Sequence, residues 1–289
     1  MERTRDRWAQ WLLERRHGGD EAQLERLLPD LDEFRERVIA NAEIAAGDVV
    51  LDVGTGDGLI AFAALERVGP EGRVLFSDIS TDLIEECERV AEKLGVLDRC
   101  EFVQASADDL PFDDESVDVV TTRSVLIYLM NKEPALREFH RVLRPGGRLS
   151  IFEPINRFCH EENRRRYYGL DVAPVRHLAD KIMARWKRSE EHPLLNFDER
   201  DLFRWTHDAG FAQIRMDYRA EVDTTDWAAS ADAFLHSSGN PLDPTPKEEM
   251  AEALDPAEQA EFETYIRTTI ASRPPIQRRR AKVYLRAVK

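Results

Sequence analysis

The chain has 289 residues, 42% hydrophobic and 34% charged, enough apolar content for a sizeable core in one large soluble domain or one domain with an elaborated substrate region. With 41 Lys and Arg against 56 Asp and Glu the formal charge is −15, so the chain as a whole is not expected to seek DNA, RNA or anionic membrane, although a local basic patch is not excluded. No apolar run approaches the roughly 20 residues needed to span a bilayer. The opening "MERTRDRWAQWLLERRHGGD" lacks the apolar stretch of a signal peptide, and Cys87, Cys100 and Cys159 form no C-x-x-C pair. Neither a disulfide framework nor a metal site is expected, and the expected location is the cytoplasm.

Residues 1–46 read as an N-terminal helical cap. Trp8, Trp11 and Leu12 line one face of its first helix, and Leu31, Phe34, Val38 and Ala42 recur at helical spacing in a later one. Strands and helices then alternate through a core over 47–156. Val49–Val53 is a short apolar strand, Leu59–Val68 a helix and Arg73–Asp78 the next strand. "STDLIEECERVAEKLG" is a helix with Ser80 or Thr81 as N-cap and Gly95 as C-cap. Cys100–Gln104 and Val117–Thr122 are further strands. "NKEPALREFHRVLRPGG" is a helix ended by Pro-Gly-Gly, and Arg148–Glu153 is a fifth strand. A basic insertion follows over 157–200, its first part (157–188) holding nine Lys/Arg against four Asp/Glu. Within 201–289, a helix, a turn and a strand precede a long excursion over 225–275, and "RRRAKVYLRAVK" is a closing strand. The last two strands flank that excursion and are placed to pair antiparallel.

Apolar strands alternating with helices imply an α/β fold: a Rossmann-like, seven-stranded, mostly parallel sheet with helices on both faces, an antiparallel last strand, N-terminal helices and substrate-side insertions. Ligands of such sheets bind outside the carboxyl ends of the strands. Those ends are Asp52–Gly58, Asp78–Ser80, Ser106–Asp109, Arg123–Ser124 and Glu153–Asn156.

The turn in "VVLDVGTGDGLIAF" carries two glycine registers, G-x-G-x-G from Gly54 and G-x-G-x-x-A from Gly56. Asp52, just before it, places a carboxylate where a dinucleotide pyrophosphate would be repelled. A ligand bearing an ammonium and a sulfonium, such as S-adenosylmethionine, would be attracted. No Lys-Ser or Lys-Thr follows the glycines, so this is not a P-loop. Asp78, ending the second strand, is placed to accept from ribose hydroxyls.

"VLDVGTGDG", "VLFSDIS", "FVQASADDLPFDDESVDVV" and "ALREFHRVLRPGGRLSIFEP", in that order, resemble class I S-adenosylmethionine-dependent methyltransferases, and within them the branch of ubiquinone/menaquinone C-methyltransferases. The resemblance implies that Asp52 holds the methionine amino group, directly or through water. It implies that Gly54, Thr55 and Gly56 pass under the cofactor's carboxylate and methionyl chain. Asp78 would bind the ribose and Ile79 the adenine face, with Ser106, Ala107 and Asp108 bordering the adenine. Many relatives carry an acidic residue at the Ser106 position, and Asp108 is the substitute here. Arg123 and Ser124 end the fourth strand near the methionyl moiety and the substrate. Three roles stay open for Arg123: pairing with the cofactor carboxylate, binding an anionic substrate, or bridging to Asp52.

Methyl transfer from a sulfonium is an in-line displacement, so alignment is the main task, and a base is needed only if the acceptor is not already nucleophilic. Candidate bases are Tyr128, Glu153, His177 and the Tyr167–Tyr168 pair, with His160, soon after the fifth strand, preferred; His140 reads as packing. The expected activity is methyl transfer to an oxygen or carbon of a small-molecule acceptor, yielding S-adenosylhomocysteine. The competing readings are an RNA or protein methyltransferase using the basic 157–188 face, and a non-catalytic cofactor-binding homologue.

Overall fold

Apolar runs bounded by caps and glycine turns set up alternating strands and helices. The strands are β1 (Val49–Val53), β2 (Arg73–Asp78), β3 (Cys100–Gln104), β4 (Val117–Arg123), β5 (Leu143–Pro154), β6 (Ala212–Thr225) and β7 (Ile276–Val288). The computed structural model describes residues 4–159, 166–186, 189–225, 228–272 and 276–289. The seven strands form one sheet in the order β3-β2-β1-β4-β5-β7-β6. The pairs among β1 to β5 are parallel, and β7 is antiparallel to both β5 and β6. This is the Rossmann-like sheet expected from the sequence.

The helices are α1 (Arg7–Gln10), which continues as a π-helical turn over Trp11–Arg15, α2 (Glu21–Ala42), α3 (Leu59–Val68), α4 (Thr81–Leu94), α5 (Glu133–Val142), α6 (Arg176–Met183), α7 (Glu199–Asp208), α8 (Ala231–His236), α9 (Pro246–Ala253) and α10 (Pro256–Ala271). Successive strand residues face opposite sides, and both sides are apolar. Val50, Phe76, Val119 and Phe152 share a core with α2, α3 and α4. Leu51, Leu75, Val120 and Ile151 share the opposite core with α5 and Leu202 of α7. α4 shows why the local signals are legible: the Ser80 hydroxyl accepts from the Leu83 N–H at 3.1 Å, and Gly95 closes the helix in the left-handed region.

The helix expected to run to Pro-Gly-Gly stops earlier, at Val142. Pro145 offers no N–H, its ring clashes with the preceding turn, and it disfavours helical geometry at Arg144. Leu143 is already extended, with ψ 138°, and pairs with Val117; the regular register resumes at Arg148 opposite Val119, past a bulge.

The basic stretch after β5 and the acidic excursion between β6 and β7 fold together. Tyr167, Leu178, Ile182, Phe234, Phe262 and Ile266 belong to a third core, separate from the two that flank the sheet. Glu249 is buried and accepts from Tyr168 Oη at 3.0 Å and Trp186 Nε1 at 2.7 Å. Lys181 pairs with Glu258 and Arg185 with Glu252, so two of the cations of the basic stretch are spent on acids of the excursion. The N-terminal segment ties this helical layer to the sheet: Trp11 Nε1 donates to the Ser238 carbonyl at 2.8 Å, and the Ser230 hydroxyl bonds Asp20 at 3.0 Å.

Candidate active site

Strand order reverses between β1 and β4, and in a doubly wound sheet the crevice at that switch point takes the ligand. The turn after β1 is folded back on β2: the Gly54 and Thr55 N–H groups both donate to the Ser77 carbonyl, at 2.7 and 2.9 Å. Gly54 and Gly56 have φ of 68° and 58°, in the region that favours glycine. A Cβ on Gly54 would lie 2.1 Å from Val125 Cγ2, and one on Gly56 2.9 Å from Leu12 Cδ2. Backbone alone fits between the loop after β4 and the N-terminal segment.

Beneath this turn Asp52 is buried, 2% exposed. One carboxylate oxygen accepts from the Thr121 hydroxyl at 2.7 Å. No cationic side chain among the described residues comes within ion-pairing distance of it. Burial pushes its pKa up to about 6, against the opposing pull of the Thr121 and Thr55 hydroxyls and of Arg123. The Thr55 hydroxyl faces that carboxylate outside hydrogen-bonding geometry, and its buried oxygen has no partner among the described residues.

Asp78 ends β2 with each oxygen holding one backbone donor, Gly56 N–H at 2.9 Å and Ser80 N–H at 2.9 Å. Burial raises its pKa, and those two donors oppose the rise. Each carboxylate oxygen has a further lone pair, so the bonds that shape the turn leave capacity for hydroxyl donors. Ile79 beside it is 53% exposed, an apolar side chain held in the open at a strand end. Ser106 donates its hydroxyl to Asp108, Ala107 is buried, and the Ala105 N–H donates to the Asp78 carbonyl at 2.9 Å. The ends of β2 and β3 are thus tied together.

Arg123 and Ser124 stand at the end of β4. Ser124 has φ 57°, a left-handed conformation that costs a non-glycine residue roughly 1 kcal/mol. The loop beyond it is held by Glu153 at the end of β5. Glu153 is fully buried; Oε1 accepts from Val125 N–H and Leu126 N–H, each at 2.8 Å, and Oε2 from Ile127 N–H at 3.2 Å. Burial raises its pKa to about 7, opposed by these three donors and by Lys132. These three bonds anchor the loop after β4 on the residue that the sequence offered as a candidate base.

The other candidates separate clearly. Tyr128 stays in the crevice, but burial, reinforced by Glu153, raises its hydroxyl pKa, which suits a hydrogen-bond donor and not a base. Tyr167 and Tyr168 lie in the helical layer, in the third core, with their hydroxyls on Glu249. His177 is on the exposed face of α6. His140 packs edge-on against Phe211, ring centroids 5.1 Å apart, as expected. His160 lies outside the described residues.

The N-terminal segment belongs to the site, a contribution no local pattern announced. The Ser80 hydroxyl donates to Asp6 at 2.6 Å, Leu12 meets the glycine turn, and the Trp8 ring stands edge-on to Tyr128 at 5.0 Å. The Arg16 guanidinium lies over the Trp11 ring, 5.7 Å from its centroid. Its two tryptophans among cationic residues were the only hint in the sequence.

A glycine turn with a carboxylate below it and a second carboxylate ending the neighbouring strand defines a Rossmann-like enzyme for a nucleoside cofactor that lacks a pyrophosphate. Residues 44–198 match the family model described as a methyltransferase domain. The ubiquinone/menaquinone biosynthesis C-methyltransferase UbiE of Francisella tularensis subsp. novicida is 30% identical over 194 residues, which cover 63% of this chain and 73% of the relative. In fold the chain is similar to a putative methyltransferase from Bacillus halodurans (TM-score 0.53, 18% identity, 90% of this chain and 99% of that one). It is also similar to geranyl diphosphate C-methyltransferase from Streptomyces coelicolor (TM-score 0.51, 18% identity, 93% and 82%). The chain belongs to the methyltransferase-domain family and is a class I S-adenosylmethionine-dependent methyltransferase. No helix among the described residues is long and apolar enough to cross a membrane.

Proposed function

We propose that this enzyme, working in the cytoplasm, methylates an oxygen or carbon of a small organic acceptor bound between the N-terminal segment, the loop after β4 and the helical layer. The observation that carries the reading is Asp52, a buried carboxylate at the switch point with no ion-paired cation among the described residues. That is an unfavourable place for a charge unless a ligand supplies the counter-charge. The ammonium of S-adenosylmethionine is such a counter-charge, and the unpartnered Thr55 hydroxyl supplies a neutral donor beside it.

In this reading Gly54, Thr55 and Gly56 run under the methionyl chain. Asp78 takes the ribose hydroxyls on its remaining lone pairs, Ile79 covers one face of the adenine, and Ser106, Ala107 and Asp108 border its edge. When bound, S-adenosylmethionine supplies a methyl group on a sulfonium that is its own leaving group. What the chain must do is orient the acceptor and exclude water, which Trp8, Leu12 and Tyr128 do from above the turn. Two supports favour a small acceptor over RNA. The UbiE relative is named for biosynthesis of small quinones, and Lys181 and Arg185 of the basic stretch are already paired with Glu258 and Glu252.

Replacing Asp78 with Ala is expected to weaken S-adenosylhomocysteine by about 1–3 kcal/mol through lost charged hydrogen bonds, together with a looser turn as the Gly56 N–H loses its acceptor. Titration calorimetry tests this, and an unchanged dissociation constant rules out the ribose role. The function itself is tested by transfer of labelled methyl from S-adenosylmethionine into the small-molecule and macromolecular fractions of a cell extract. Label confined to RNA or protein would refute the acceptor class.

A further inference from the structure

Lys132 occupies a position that disfavours lysine twice over. It stands at the N-cap of α5, where the helix dipole opposes a positive charge and small oxygen-bearing side chains are preferred. It is also buried, 1% exposed, although an ammonium is costly to desolvate. Its hydrogen bonds show what holds it there. Nζ donates to the Leu129 carbonyl at 2.6 Å, to the Pro193 carbonyl at 3.1 Å and to Asn196 Oδ1, which uses all three of its N–H donors. The ammonium also lies 4.9 Å from the centroid of the Phe197 ring. Asn196 in turn donates from Nδ2 to the Met130 carbonyl at 2.8 Å, so bonds run both ways between residues 129–132 and residues 193–197. Burial pushes the Lys132 pKa down to about 8, with Glu153 opposing. The ammonium is thus held at a cost that an apolar side chain of the same length would avoid.

What Lys132 grips is the far end of the loop after β4. That loop makes one 3-10 turn over Leu126–Tyr128. The N–H groups at the start of the turn, those of Val125, Leu126 and Ile127, go to Glu153. The Leu129 carbonyl at its other end goes to Lys132. A buried anion closes one end and a buried cation the other, the signs that the dipole of the turn favours. Between them Tyr128 stands edge-on to Trp8 at 5.0 Å. The two clamps divide the loop. Glu153 holds the end where Val125 meets Gly54. Lys132 holds the end that carries Tyr128 and ties it to residues 193–197, of which Leu194, Leu195 and Phe197 are fixed in the core shared with α5. We propose that Lys132 is a positioning residue for methyl transfer: by binding the Leu129 carbonyl and the 193–197 segment together, it fixes Tyr128 in the crevice wall that faces the acceptor. The inference rests on the switch-point crevice being the methyl-transfer site. Lys132 exchanges no proton with the reactants; it acts through Leu129 and Tyr128.

The test compares the full chain with Lys132→Met, which keeps the length of the side chain and removes its donors, and with Lys132→Arg, which restores a cation and N–H groups. In the proteins saturated with S-adenosylhomocysteine, amide hydrogen exchange at residues 125–129 and 194–197 is expected to run about tenfold faster in Lys132→Met, as loss of a charged hydrogen bond implies. Calorimetric affinity for S-adenosylhomocysteine should stay within about threefold of wild type, which also reports intact folding. Transfer of labelled methyl from saturating S-adenosylmethionine into the small-molecule fraction of a cell extract should fall about tenfold or more in Lys132→Met, the cost of a misplaced crevice wall. Lys132→Arg should recover part of that rate. Unchanged exchange, unchanged transfer, cofactor affinity that falls in step with transfer, or no recovery in Lys132→Arg would overturn the proposal. Wild-type protein that binds no S-adenosylhomocysteine, or transfers no methyl, would instead defeat the reading of the crevice on which it rests.

Discussion

Asp52→Asn is expected to weaken S-adenosylmethionine and S-adenosylhomocysteine about ten- to a hundredfold at pH 8, while the free protein melts no lower than wild type. Both halves follow from the position of the carboxylate. It is buried beneath the glycine turn, and among the described residues the Thr121 hydroxyl is its one conventional hydrogen-bond donor. A charged hydrogen bond to the cofactor's ammonium contributes about 1.5–3 kcal/mol that the amide cannot match. In the free protein, the ionised carboxylate carries a desolvation cost that Asn avoids, and the Asn carbonyl still accepts from Thr121. A purely structural Asp52 would give the opposite pattern, with lower stability and unchanged affinity.

The pH dependence has a definite sign. Burial holds the Asp52 pKa in the free protein at about 6, so the carboxylate is ionised above that value and protonated below it. Cofactor affinity should therefore be full near pH 8 and fall as pH drops through about 6. In Asp52→Asn, affinity should be weak and nearly flat across the same window. Calorimetric titrations from pH 5 to 8 on both proteins check this, and a wild-type profile that is flat or rises on acidification would remove Asp52 from the ammonium site.

Glu153→Ala should produce the largest loss of stability of any single change near the crevice. Glu153 satisfies the N–H groups of Val125, Leu126 and Ile127, and the alanine leaves them without an acceptor in a place that excludes water. Each orphaned buried donor costs about 1–3 kcal/mol; relief of the buried charge and rearrangement of the loop offset part of that, for a net loss of about 3 kcal/mol. The same loop carries Ser124 in its left-handed conformation and presses Val125 against Gly54, so cofactor affinity should fall with stability. Glu153→Gln should rescue part of both, since the amide oxygen can still accept from the Val125 and Leu126 N–H groups while its NH2 faces the Ile127 N–H. Denaturant unfolding with and without S-adenosylhomocysteine measures both effects. Unchanged stability in the alanine variant would contradict the anchoring role.

Much of this was legible because the signals are local. β1, α3, β2 and β3 have the boundaries that the sequence implies, since each apolar run ends at a cap, a glycine or a charged turn. Strand–helix alternation set the parallel core, and with it the set of strand ends that border the crevice. What stayed hidden depends on contacts between distant parts of the chain. Asp6 reaches Ser80, and Trp8 reaches Tyr128, but neither partner carries a mark of the other. Glu153 reads from the sequence as a candidate base, and its bonds to the backbone of Val125–Ile127 come into view only in the structure. Tyr167 and Tyr168 looked chemically available because they are adjacent and aromatic, yet Glu249, on a helix of the later excursion, takes both hydroxyls. Opposite charges on the two insertions were visible as composition, but their pairing was not.

The most direct measurement is a crystal structure of the complex with S-adenosylhomocysteine. It should show the ribose hydroxyls within hydrogen-bonding distance of Asp78, the adenine against Ile79, and the amino group on the Asp52 side of the turn, directly or through one water. A cofactor bound elsewhere, or bound in the crevice with its ribose turned away from Asp78 and its amino group away from Asp52, would contradict the account.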